Sequence, residues 1–252
     1  MRIVGINQRA DQNQSNSARM AYMEDLEDFD WFNYKCTAPE KPFVPEFIYI
    51  AGEKISAEER KLRMLRQLSS ACLACSMCEL GLKRAEKNQV RRDPHVLSNL
   101  KISKFMVVGQ KPEWDELKVR KPLAGAAGGK FNTEVSKYGL SRDDFYICNI
   151  IRCWSGDTQP EDIHAEKCEP FLQMEINVLK PKVIVALGAV VFSRLCPGET
   201  FDNSLKKLVL SKYGVKVFPI YHPMDFATYQ EAFKDQIRVM CGLIKAIRKN
   251  GS

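Results

Sequence analysis

The stretch "PKVIVALG", residues 181–188, sets five apolar residues, Val183 to Leu187, unbroken between a lysine and a glycine. Valine and isoleucine favour extended backbone, and a strand with no polar residue on either side has both faces covered, as in a parallel sheet packed between helices. Three further runs share the pattern: "KFMVVG" (104–109), "DFYICNII" (144–151) and "VKVFPIYH" (215–222). Between the second and third lies "PEDIHAEKCEPFLQMEINVLK", and after the fourth "YQEAFKDQIRVMCGLIKAIRK", both with helical periodicity and length. Strands alternating with helices predict an α/β fold with a mostly parallel sheet. Such sheets bind ligands beyond the carboxyl ends of their strands. Polar residues fall there: Gly109, Gln110, Lys111 and Pro112 after the first run, Asn149 near the end of the second, and Tyr221, His222 and Pro223 after the fourth.

Upstream, Ser56 opens "SAEE", a capping-box pattern, and Leu62, Leu65, Leu68 and Cys72 follow at helical spacing, which predicts a helix ending near Cys75. Residues 1–55 differ from the rest, with a polar opening, an acidic and aromatic middle "YMEDLEDFDWFNY" and a proline-punctuated end. They read as an N-terminal extension of mixed order and a candidate contact for another protein, ahead of a domain spanning 56–252.

Composition narrows the function classes. No run approaches the ~18 apolar residues of a membrane span, and the N-terminus lacks the apolar block of a signal peptide, so a cytoplasmic, reducing location without membrane contact is expected. The net charge of +7 includes two basic groups, one at Lys83, Arg84, Lys87, Arg91 and Arg92 and one at Lys118, Arg120 and Lys121. They suit a polyanion partner or a solvated lysine-rich surface. Nine cysteines in a reducing compartment are core thiols or metal ligands rather than disulfides. Cys75 and Cys78 form a C-x2-C pair, and Cys153 and Cys168 lie 15 positions apart. Four thiolates can bind zinc or an iron-sulfur cluster. The second tight knuckle of a zinc ribbon is missing, which leans the spacing toward a cluster.

In context, these residues resemble a family, the iron-sulfur uracil-DNA glycosylases (family 4) of the uracil-DNA glycosylase superfamily. Cys75, Cys78, Leu80 and Arg84 fall on that family's C-x-x-C-x-L-x-x-x-R motif, and "YICNIIRC" (146–153) parallels its "YITNVVKC". Cys168 precedes "EPFL" as a family cysteine precedes "xPFL", "PKVIVALG" recurs verbatim, and His222-Pro223 supplies the terminal "HP". The resemblance runs over about 60–248. It implies a three-layer α/β/α sandwich with a four-stranded parallel sheet, a 4Fe-4S cluster on Cys75, Cys78, Cys153 and Cys168, and DNA as partner, single-stranded or with a flipped base. Cys72 also makes a C-x2-C with Cys75, but only Cys78 aligns Leu80 and Arg84. Cys36, Cys148, Cys196 and Cys241 read as free thiols.

Excision of a base passes through a sugar cation and a departing base anion, so a site must orient the base, stabilise its charge and position water. Asn149 matches the family asparagine that reads the uracil edge, and His222 the histidine that hydrogen-bonds the developing anion. The first motif departs from the family. Where the family has "GEAPGxxED" and "GxPFVGxAG", this chain has "GQKPEWDEL" and "RKPLAGAAG". Gly109, Pro112, Glu116, Pro122, Gly125 and Gly128 match, whereas the catalytic glutamate is Gln110, the next position is Lys111, and the stacking phenylalanine is Leu123. A cation ~4 Å from the sugar opposes its developing charge by roughly 4 kcal/mol at an effective dielectric of ~20. Uracil excision is therefore expected to be slow or absent unless Lys111 is neutral or turned away. Three readings follow: a glycosylase with an altered pocket; an inactive glycosylase-fold DNA-binding domain, for example part of a phage replication or polymerase protein; or an enzyme using the Lys111 amine as nucleophile.

Overall fold

A computed structural model describes residues 56–86, 98–156 and 159–250; the 1–55 extension and most of the basic group at 83–92 lie outside them. The apolar runs form β1 (Phe105–Gly109), β2 (Tyr146–Asn149), β3 (Val183–Leu187) and, following a two-residue β4 (Val209–Leu210), β5 (Lys216–Ile220). Their order across the sheet is β2-β1-β3-β5-β4. The first four in that order are parallel, as expected, and β4 adds a fifth, antiparallel strand at the edge. Two residues carry too little periodicity to show in a sequence, and β4 exists only because β5 offers it an edge.

Alternation along each strand builds two cores. Met106, Val108, Ile184 and Ala186 face one layer, with helices α1 (Ala57–Leu73), α5 (Asp162–Leu179) and α6 (Ala189–Leu195) packed against them. Phe105, Val107, Val183 and Val185 face the other, covered by α4 (Ala126–Ser136) and α8 (Phe226–Lys249). This is the α/β/α sandwich. It explains the unbroken apolar strands, because neither face meets water. Among the described residues there are three shorter helices: α2 (Glu79–Glu86), α3 (Trp114–Val119) and α7 (Phe201–Ser204).

The start of α1 forms as expected, with Ser56 Oγ accepting from the Glu59 N–H at 3.0 Å; the Glu59 carboxylate turns instead to Arg63, at 3.3 Å. α1 stops at Leu73, two residues short of Cys75. The helix α4 hides in the sequence because its first turn, in "AAGGKF", carries two glycines. Gly128 is required there, since a Cβ would collide with the Leu123 carbonyl.

Candidate active site

β1 lies between β2 and β3, so the chain leaves it in one direction and returns on the other side, opening a crevice at the carboxyl ends. A cleft of about 730 Å³ occupies it. Gly109, Gln110 and Lys111 after β1, Asn149 at the end of β2, Leu123 before α4, and His222 after β5 all line it. Six of the seven candidate catalytic and base-binding residues thus come together. Pro112 is buried and is not among the lining residues.

Close backbone approach sets Asn149 in place. Gly109 and Asn149 are register partners, and a Cβ on Gly109 would strike Asn149 Oδ1. The Asn149 side chain is buried, and its Nδ2 has no hydrogen-bond partner among the described residues. A buried donor left open beside a cleft costs about 1–3 kcal/mol until something accepts from it.

His222 is held from three sides. Its Nδ1 accepts from the Met224 N–H at 3.2 Å, which leaves the proton of the neutral ring on Nε2. The buried Gln236 accepts from the Tyr221 N–H at 2.8 Å, fixing the preceding residue. Gly188, at φ +86°, passes so close that a Cβ would lie 3.2 Å from His222 Cβ. Burial lowers the His222 pKa below its ordinary value, with Lys130 acting in the same direction and Asp225 and Glu113 opposing. The ring is therefore neutral near pH 7, able to donate from Nε2 without carrying charge.

The divergent motif is built around carboxylates. Lys111 Nζ donates to Glu113 Oε1 at 3.0 Å, its side chain only 9 % exposed. The lysine does line the cleft, but a counter-charge accompanies it. Glu113, Asp115 and Asp225 line the cleft too, and the sequence reading passed over all three. Glu113 takes the place of a motif glycine, a substitution with no chemical signature until the fold folds it back onto Lys111. The matched Glu116 is structural: its carboxylate accepts from the backbone N–H groups of Glu113, Leu123 and Ala124, and burial raises its pKa. Leu123 sits at φ +51°, rare for a branched residue. Its carbonyl and that of Pro122 accept from Arg142 at 3.2 and 2.8 Å, which clamps the turn.

On the α1 side a second cluster gathers. Cys72, Cys153 and Cys168 are buried, Cys75 and Cys78 half-buried, and none is in a disulfide. Burial pushes the Cys168 thiol up to about 12, with Cys153 adding to it and the Arg152 backbone N–H and guanidinium opposing. Cys72 is raised by burial and by Cys168, Cys153 and Cys75, while it packs against Leu68, Ala71 and Phe171 on the helix face expected for it. Arg152 and Glu175 form a buried two-pronged ion pair beside them, at 2.8 and 2.7 Å. Among the described residues, no three His, Cys, Asp or Glu side chains converge as a ready metal site.

A superfamily model described as "Uracil DNA glycosylase superfamily" matches residues 97–241. The chain is 33 % identical over 172 residues to the type-4 uracil-DNA glycosylase of Sulfurisphaera tokodaii, covering 63 % of this chain and 74 % of that protein. It is 32 % identical over 188 residues to the type-4 enzyme of Archaeoglobus fulgidus, covering 68 % and 89 %. With the type-4 uracil-DNA glycosylase of Thermotoga maritima it shares 30 % over 170 residues, covering 64 % and 81 %. A crevice at the turning point of a parallel sheet, an asparagine at one strand end, a histidine at another and a sequence match across the whole sheet agree: the chain belongs to the uracil-DNA glycosylase superfamily and is similar to its type-4 members.

Proposed function

We propose that the protein is a DNA glycosylase that hydrolyses the N-glycosidic bond of uracil or a related base. The observation that carries this reading is the unpartnered Asn149 Nδ2, buried at the cleft that also holds the neutral His222. A pyrimidine edge offers a carbonyl oxygen to such a donor. The Asn149 amide, with donor and acceptor side by side, discriminates uracil-like edges. His222 Nε2–H donates to the base oxygen as negative charge develops on leaving, which favours the transition state over the ground state. Gln110 cannot take a proton from water, so water is oriented and deprotonated by a carboxylate lining the cleft, Glu113 within the first motif being the candidate. The resident Lys111–Glu113 pair is close to neutral as a unit, which removes most of the repulsion that an isolated lysine would exert on the sugar cation.

The four cysteines Cys75, Cys78, Cys153 and Cys168 are proposed to hold an iron-sulfur cluster. Cys153 and Cys168 are buried, Cys75 and Cys78 half-buried, and none is in a disulfide. Cys168 interacts with Cys153, Cys75 and the Arg152 cation, a donor set whose chemistry suits a soft metal, although among the described residues the four thiols do not converge as a ready site. When bound, the cluster would supply a crosslink between distant segments rather than chemistry at the base. The proposed partner is DNA.

An excision assay on single-stranded and duplex oligonucleotides carrying uracil, hydroxymethyluracil or hypoxanthine tests the function. Base release is expected from at least one, with His222→Ala lowering the rate roughly 10²–10³-fold, the worth of one donor to a developing anion. Retained DNA binding with no release from any substrate would favour the inactive DNA-binding reading, for which Gln110 and Leu123 speak.

A further inference from the structure

Trp114 is 50 % exposed at the rim of the cleft. Its indole lies 5.2 Å from that of Trp154, tilted by 39°. One ring opens α3, directly after the loop of the divergent motif; the other follows Cys153, beyond the end of β2. Neither ring is among the core residues; Trp114 lines the mouth of the cleft and Trp154 does not. Each steadies the other, so the exposed face is presented in one orientation at little entropic cost. The Lys118 ammonium, which pairs with Asp115 at 3.6 Å, stands 5.4 Å from the Trp114 centroid, and the exposed Arg120 and Lys121 follow in the chain.

We propose that Trp114 and Trp154 form a stacking platform for an unpaired nucleobase adjoining the one in the cleft, which gives the protein a preference for single-stranded DNA. The half-exposed Trp114 ring, braced by Trp154, suits a base on its face and phosphates toward Lys118, Arg120 and Lys121. Bases inside a duplex have both faces covered by their neighbours, so only an unpaired one can stack here. Since every base has a π-face, the platform is indifferent to sequence. The inference rests on the reading that the cleft takes a base from DNA.

Affinity of the full-length protein for labelled oligothymidylate without uracil, and for a uracil-free duplex, is measured over a series of salt concentrations. Trp114→Ala is expected to weaken single-strand binding by roughly 5- to 150-fold, the range for one stacked base, with duplex affinity and the salt slope unchanged. Trp114→Phe should recover most of the loss, and Trp154→Ala reads the same platform should Trp114→Ala fail to fold. Single-strand affinity equal to wild type, or equal losses on single strand and duplex, would overturn the platform; so would wild-type protein with no affinity for oligothymidylate. The two readings fail separately. Tryptophan-dependent binding without base release sinks the glycosylase and spares the platform, whereas base release with tryptophan-independent binding does the reverse.

Discussion

At Lys111 the ammonium sits 3.0 Å from the Glu113 carboxylate, so the pair rather than the lysine decides what the reacting sugar experiences. Glu113→Gln leaves a lone cation lining the cleft and is expected to slow excision by about tenfold or more, each ~1.4 kcal/mol being a factor of ten. Adding Lys111→Met to that variant separates two roles for the glutamate. Recovery toward the wild-type rate shows charge balance alone, while a double variant as slow as Glu113→Gln shows that the carboxylate itself handles the water. His222 makes a prediction about pH. Its folded pKa is lowered, so on acidification the unfolded chain takes up the proton first. Stability is therefore lost as pH falls from about 6.5 toward the lower folded value. Thermal unfolding of wild type and His222→Gln across pH 8 to 5 checks this; parallel curves would show that the ring is not protected from protonation.

Among the elements, the loop after β2 and the helix α5 are tied by Arg152 and Glu175, both almost wholly buried. Removing one partner strands the other charge in the interior, so Glu175→Ala is expected to cost about 3–5 kcal/mol in denaturant unfolding. Replacing both with apolar residues should cost much less, because no charge is then left unpaired. A Glu175→Ala loss under about 1 kcal/mol would mean that water reaches the guanidinium. The ion pair also bears on the thiols: Arg152 immediately precedes Cys153, and Glu175 lies two turns of α5 beyond Cys168. Nothing in "IIRCW" or "FLQMEIN" pairs the two charges in advance, because the register between a loop and a helix is set by packing.

For the whole molecule, the proposed cluster joins α1 and α2, the loop after β2, and α5, segments far apart in the chain. Purified protein is expected to contain iron and absorb near 400 nm, and Cys153→Ser should lose both colour and thermal stability. Cys78→Ala should lose iron and Cys72→Ala keep it; the opposite result would replace the motif register with the buried neighbourhood of Cys72 as the guide to the ligands. About one zinc and no iron would reject the cluster. Asn149 and His222 were singled out by the family resemblance, whereas the parallel sheet and the polar residues at its strand ends were legible from residues alone, because two-residue and helical periods are local and a parallel sheet puts its binding crevice at a predictable end. The cysteine spacing showed candidate ligands for the same reason. What required the tertiary structure was pairing across the chain: Trp114 beside Trp154, Arg152 locked to Glu175, and the edge strand β4. Each depends on distances between segments that no local pattern encodes, since charge compensation, stacking and strand pairing are properties of neighbours in space, and packing alone makes those residues neighbours.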